Sequence, residues 1–86
     1  MYSPIIKPSL EKKLFKIKKK NPELAKRIRN KIVEIIENPH HYKPLSNKLK
    51  NKWRVHFGSY VLTFKIYEEE NVVKFLDYDH HDNIYK

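Results

Sequence analysis

The sequence predicts an α+β fold in which an N-terminal edge strand and a two-helix hairpin precede a three-stranded C-terminal meander, the helices packed on a twisted, mostly antiparallel sheet. Three observations lead there. Apolar residues recur at helical spacing as far as Ile36 and alternate from Trp53 onward. Polar or proline breaks at Asn21-Pro22, Asn38-Pro39, Gly58-Ser59 and Glu68–Asn71 fall between the periodic stretches. The 86 residues, 40% hydrophobic and 34% charged, suffice for one core but not for a second, so residues 1–86 read as a single domain.

Taken in order, Ser3 to Pro8 is extended, its two prolines tolerated only at a strand end or on an edge. Ser9 offers an N-cap to a first helix whose apolar side is Leu10, Leu14 and Ile17, with Phe15 beside them. Asn21 caps a second helix with Pro22 at its first position, and Leu24, Ile28, Ile32, Ile35 and Ile36 make its apolar stripe. Asn38-Pro39 ends that helix. Residues 39–50 show neither period and read as a loop. Trp53, Val55 and Phe57 then alternate with Arg54 and His56. After the Gly58-Ser59 turn, Leu62, Phe64 and Ile66 alternate with Val61, Thr63, Lys65 and Tyr67, which makes a β-hairpin. Val72 to Tyr78 is the third meander strand, and Asp79 to Lys86 is a short tail.

Charge gives the first indication of function. Net charge is +9, from 19 Lys+Arg against 10 Asp+Glu. The first fifty residues hold fourteen bases and four acids, and the remainder five and six, which places the basic face in the first half. Such a surface attracts polyanions, RNA first among them. The RNA-binding candidates are Lys12, Lys13, Lys16, Lys19, Lys20, Lys26, Arg27 and Lys31 on the helices, with Lys48, Lys50 and Lys52 before the hairpin. The chain lacks cysteine, so neither a disulfide frame nor a thiolate zinc site is available. No apolar run approaches the ~20 residues of a membrane span, and the N-terminus lacks the regions of a signal peptide. The expectation is a cytoplasmic protein without membrane contact.

Three groups of residues could carry chemistry. Arg54 and His56 alternate away from the Trp53 face; arginine grips phosphate with a planar fork, and an imidazole moves protons near neutrality. The tail places His80 and His81 among Asp77, Asp79 and Asp82 and is followed by Tyr85. Neighbours on an extended strand point oppositely and do not share one ion, so the tail reads as acid–base machinery, and neither a metal nor another cofactor is expected. RNA can be cut by its own 2′-hydroxyl with only a base, an acid and cationic stabilisation of the phosphorane. His40-His41, in the loop, reads as solvent-exposed.

The segments LKNKWRVHFGSYVLTFKI and VVKFLDYDHHDNIYK, with the order of elements and the chain length, resemble the RelE/ParE superfamily of toxin–antitoxin toxins. The resemblance implies a RelE-like fold with its active cleft on the concave face of the sheet. It also implies a metal-independent endoribonuclease that enters the ribosome and cuts messenger RNA, stopping translation. By position, Arg54 falls on a basic residue of the family's first hairpin strand, and His56 on the next residue of that face. His80 and His81 fall on the terminal motif, where the family usually has Arg at the second place, and Tyr85 on the terminal tyrosine. One departure is Val61, which follows Tyr60 where many active members carry Arg. The alternatives are a ParE-like gyrase inhibitor and a RelE-fold RNA- or antitoxin-binding protein with weakened catalysis. In every case the implied partner is an acidic, helical, RelB-like antitoxin in a hetero-oligomer, and for the nuclease also the ribosome and its message.

Overall fold

The computed structural model describes residues 1–44 and 52–84. Strand β1 (Ser3–Ile6) leads into helices α1 (Pro8–Lys20) and α2 (Pro22–Glu37). A 3-10 turn (Pro39–His41) follows, then β2 (Lys43–Pro44), β3 (Lys52–Phe57), β4 (Tyr60–Tyr67), β5 (Val72–His80) and a terminal helical turn α3 (His81–Ile84). The sheet order is β1-β5-β4-β3-β2, antiparallel except where β1 runs parallel to β5. No helix among the described residues is long and apolar enough to cross a membrane.

The first helix begins earlier than its polar signal suggested. Pro8, with φ preset and no N–H to satisfy, occupies its first position, and the Lys7 carbonyl accepts from Leu10 and Glu11; Ser9 is inside the helix and is not its cap. Asn21 does cap α2, its Oδ1 accepting the Leu24 N–H at 3.2 Å. Phe15 stays outside the core, 61% exposed under the Lys19 ammonium, which lies 4.7 Å from its ring centre. Within the expected loop, Lys43 and Pro44 form a short strand that pairs with Arg54 and Trp53.

Leu10, Ile28, Ile35, Leu62, Phe64, Val73 and Phe75 are fully buried between the helices and one face of the sheet. Each contributes about 1.5–3 kcal/mol through the apolar surface it removes from water. Strand β5 carries one extra residue, Leu76, because Phe75 faces Phe64 and Asp77 already faces Thr63. The bulge reverses the alternation. Phe75 and Tyr78 thus both face the helices, while Lys74, Asp77 and Asp79 share the opposite face. The strand also outruns its expected end at Tyr78, reaching His80 before α3 begins.

A polar clamp ties the chain start to the far end of the sheet. The Tyr2 hydroxyl donates to Glu68 Oε2 at 2.7 Å, and His40, edge-on to Trp53, pairs with the other oxygen of the same carboxylate. His40 therefore has a structural task that its place in a loop did not disclose. Hydrogen bonding by Tyr2 holds the Glu68 carboxyl below its ordinary value against the cost of desolvation, and His40 adds to this. A depressed folded pKa contributes stability above the unfolded value and loses it as pH falls through the folded one. Wild type should therefore melt above Glu68→Gln at pH values over 4.5, and the two melting curves should converge as the acid limit is approached. Melts followed by circular dichroism across that range check this.

Candidate functional site

The register of the sheet places three rows of side chains on the face away from the helices. One row is Lys52, Lys65 and Lys74; the next is Lys43, Arg54, Thr63 and Asp77; the third is His56, Val61 and Asp79. A cleft of about 590 Å³ opens over the first row and over Thr63 and Asp77 of the second, walled by Lys7, Lys13, Asn83 and Ile84. Like charges opposite one another on adjacent strands destabilise a sheet. Among the described residues, none of the three lysines of the first row has a carboxylate partner. An anion laid across them would relieve that repulsion.

The acids at the cleft rim do not supply that anion, because they are engaged already. Lys13 reaches around the β5 edge to Asp77 Oδ1 at 2.7 Å and Asp79 Oδ2 at 3.5 Å. Asp77 also accepts the Tyr78 N–H, and Asp79 the His80 N–H at 2.7 Å and the Asn83 amide at 3.0 Å. Those bonds, Asn83 first, depress the Asp79 carboxyl. Desolvation pulls the Lys13 ammonium down, but its two carboxylates outweigh this and hold it above its ordinary value.

Beyond the Arg54 row lies an imidazole pair. His56 and His81 stack with ring centres 6.0 Å apart and planes inclined by 26°. The backbone N–H of His81 donates to the Ser59 carbonyl at 2.8 Å, which fixes α3 against the hairpin turn. Arg54 Nη1 lies 2.6 Å from His56 Nε2. A guanidinium can only donate, so Nε2 accepts, and the ring in this contact is neutral with its proton on Nδ1. Burial, then the charges of Arg54 and His81, lower the His56 pKa below its ordinary value and favour that form.

The structure thus brings Arg54, His56 and His81 together and places His80 elsewhere. His80 projects to the helix side, edge-on to Tyr60 at 5.5 Å. Tyr85, Lys48 and Lys50 lie outside the described residues. Val61 is fully buried beside His56 and Asp79. Of the RNA-binding candidates, Lys13 and Lys52 line the cleft; Lys12, Lys16, Lys19, Lys20, Lys26, Arg27 and Lys31 sit on the helices, on the other side of the sheet. Lys65 and Lys74 escaped the sequence reading, which counted charge by halves of the chain. Their signal was present in the alternation, which puts both on the polar side of their strands. Among the described residues, no three His, Asp or Glu side chains group as a metal cage.

Comparison with known proteins gives the same fold and adds a family. Residues 5–85 match the family described as the ParE toxin of the type II toxin–antitoxin system parDE. A Methanocaldococcus jannaschii protein carrying the toxin name RelE4 is 48% identical over 87 residues, spanning 100% of this chain and 93% of its own. An uncharacterised Methanosarcina mazei protein is 44% identical, over 99% of this chain and all of its own. The isolated RelE toxin of E. coli superposes with a TM-score of 0.76 at 17% identity, covering 93% of this chain and 84% of that one. The RelBE2 toxin–antitoxin complex of Mycobacterium tuberculosis contains a chain that matches with a TM-score of 0.78 at 22% identity, over 93% of this chain and 98% of its own. With a family model over nearly the whole length and a close relative of the same size, this chain belongs to the RelE/ParE superfamily of toxins of type II toxin–antitoxin systems.

Proposed function

We propose that this toxin is a metal-independent endoribonuclease that cuts messenger RNA on the ribosome and is silenced by an acidic, helical antitoxin. The observation that carries this reading is the row Lys52–Lys65–Lys74, three cations on the cleft floor with no carboxylate partner among the described residues, with Arg54 one row away across the sheet and His56, stacked on His81, in the row beyond. An RNA backbone laid along the row supplies the missing anion. Its phosphate draws the Arg54 fork away from His56 Nε2, and that nitrogen then takes the proton of the adjacent 2′-hydroxyl. The 2′-oxygen attacks phosphorus, the bond to the 5′-oxygen breaks, and the leaving oxygen takes a proton from His81. Arg54 and the lysines stabilise the phosphorane. The helical lysines, on the opposite side of the sheet, face ribosomal RNA in the same pose. With Val61 in place of the family's usual arginine, the charge at the phosphorane comes from Arg54, one row away across the sheet.

The test is to map cuts on ribosome-bound message and identify the ends. Internal attack leaves a 2′,3′-cyclic phosphate and a 5′-hydroxyl. A 3′-hydroxyl with a 5′-phosphate would mean direct attack by water and would overturn the mechanism. A second reading is favoured by the matched family, which is described as ParE: a gyrase inhibitor without nuclease chemistry. Inhibition of DNA supercoiling, with intact message, would decide for it.

A further inference from the structure

On the helix side of the sheet, away from the cleft, Tyr60 presents an aromatic ring that the proposed chemistry does not use. It shares the parity of Leu62 and Phe64, which are buried, yet it is 43% exposed. The ring is held in place. It stacks on the nearly buried Tyr78 with centres 5.3 Å apart and planes inclined by 17°, and His80 meets it edge-on. Phe57 in turn braces Tyr78 at 5.8 Å. A side chain immobilised by its neighbours loses little further entropy when a ligand lies on it.

Between this ring pair and the helical hairpin is a cavity of about 350 Å³, with Ile17 and Leu24 as apolar wall and Lys16 and Lys20 at its rim. Asp79 also borders it, but that carboxylate is committed to Lys13, Asn83 and the His80 N–H. Among the described residues, neither Lys16 nor Lys20 forms an ion pair. A rigid, exposed aromatic face with two cations beside it is the arrangement that binds single-stranded nucleic acid, the ring stacking a base and the cations holding its phosphates.

We infer that Tyr60, Lys16 and Lys20 form a second RNA contact, in which one unstacked base extends the Tyr78–Tyr60 stack and the flanking phosphates pair with the two lysines. This rests on the RNA-directed reading above and adds to it a site on the other side of the sheet. An acidic partner helix would also find apolar wall and cations here. It would use them through aliphatic side chains, for which a fixed planar ring has no special value.

The probe is a fluorescein-labelled single-stranded RNA of about ten nucleotides, within the usual footprint of such sites, titrated against the full chain. Tyr60→Phe should bind like wild type. Tyr60→Leu, which keeps apolar volume over Tyr78, should bind roughly 5- to 150-fold more weakly, the range of one lost base stack. Lys16→Gln with Lys20→Gln should flatten the log–log salt dependence by about 1.4, at ~0.7 per phosphate. Irradiating wild type with 5-iodouridine RNA needs no substitution and should label the peptide containing Tyr60. Tyr60→Leu binding as tightly as wild type, or labelling confined to the cleft face, overturns the site and leaves the notch to an apolar protein segment. If wild type cuts message but shows no dependence on Tyr60, this inference alone falls. If wild type neither binds nor cuts RNA, the reading beneath it falls too.

Discussion

Arg54→Ala is expected to slow message cleavage roughly 10²–10³-fold, the usual loss when one transition-state donor is removed, with little change in RNA affinity. The two effects separate because different groups supply them. Binding draws on the row Lys52–Lys65–Lys74 along the cleft and on the helical lysines behind it. Arg54 stands one row over, half-buried, with its fork turned to His56. It meets the phosphate where charge develops during attack. Arg54→Lys keeps the charge but loses the planar two-pronged grip, so its rate should fall between the other two. Single-turnover cleavage at saturating toxin, beside direct titration of a non-cleavable RNA, measures rate and affinity apart. If affinity falls as far as rate, Arg54 is one more binding cation and the assignment of its role fails.

Why the sequence disclosed the scaffold more fully than the cleft is visible in particular residues. The helical hairpin and the β3–β4 hairpin rest on local signals: Asn21-Pro22 at a cap, Ile28 to Ile36 at helical spacing, Gly58 at φ 58° in a two-residue turn. The cleft rests on register between strands distant in sequence. Lys65 and Lys74 are unremarkable in their own strands and form a row with Lys52 only once three strands align. The Leu76 bulge, which turns Asp77 and Asp79 toward Lys13, has no local signature because it depends on where Phe75 and Tyr78 find core partners. The parallel pairing of β1 with β5 joins chain segments about seventy residues apart and has the same character. Arg54 and His56 were legible because simple alternation sends both away from Trp53, whereas the separation of His80 from His81 depended on where strand β5 stops and α3 begins.

His56→Ala should cost roughly 10²–10⁴-fold in rate, the range for a general base, and its pH dependence should identify it as that base. The working form is the neutral ring, so activity rises as pH climbs through the His56 pKa. Burial, then the neighbouring charges of Arg54 and His81, place that pKa below 6.5. The acidic limb of the rate profile should accordingly lie on the acid side of an ordinary histidine, with the base fully competent at neutral pH. The stacked ring of His81 offers an independent handle. His81→Arg sets a permanent charge beside His56, which should move the acidic limb further toward acid. The same substitution removes the proposed proton donor, since arginine does not release a proton in this range. The alkaline limb should then vanish and the rate should drop. His81→Gln, which removes the charge, should move the acidic limb the other way. If both variants leave the limb where wild type has it, the two rings are not electrostatically joined and His81 leaves the active site. If His81→Arg cleaves at the wild-type rate while its limb shifts, His81 serves as a cation and the proton for the 5′-oxygen comes from another group.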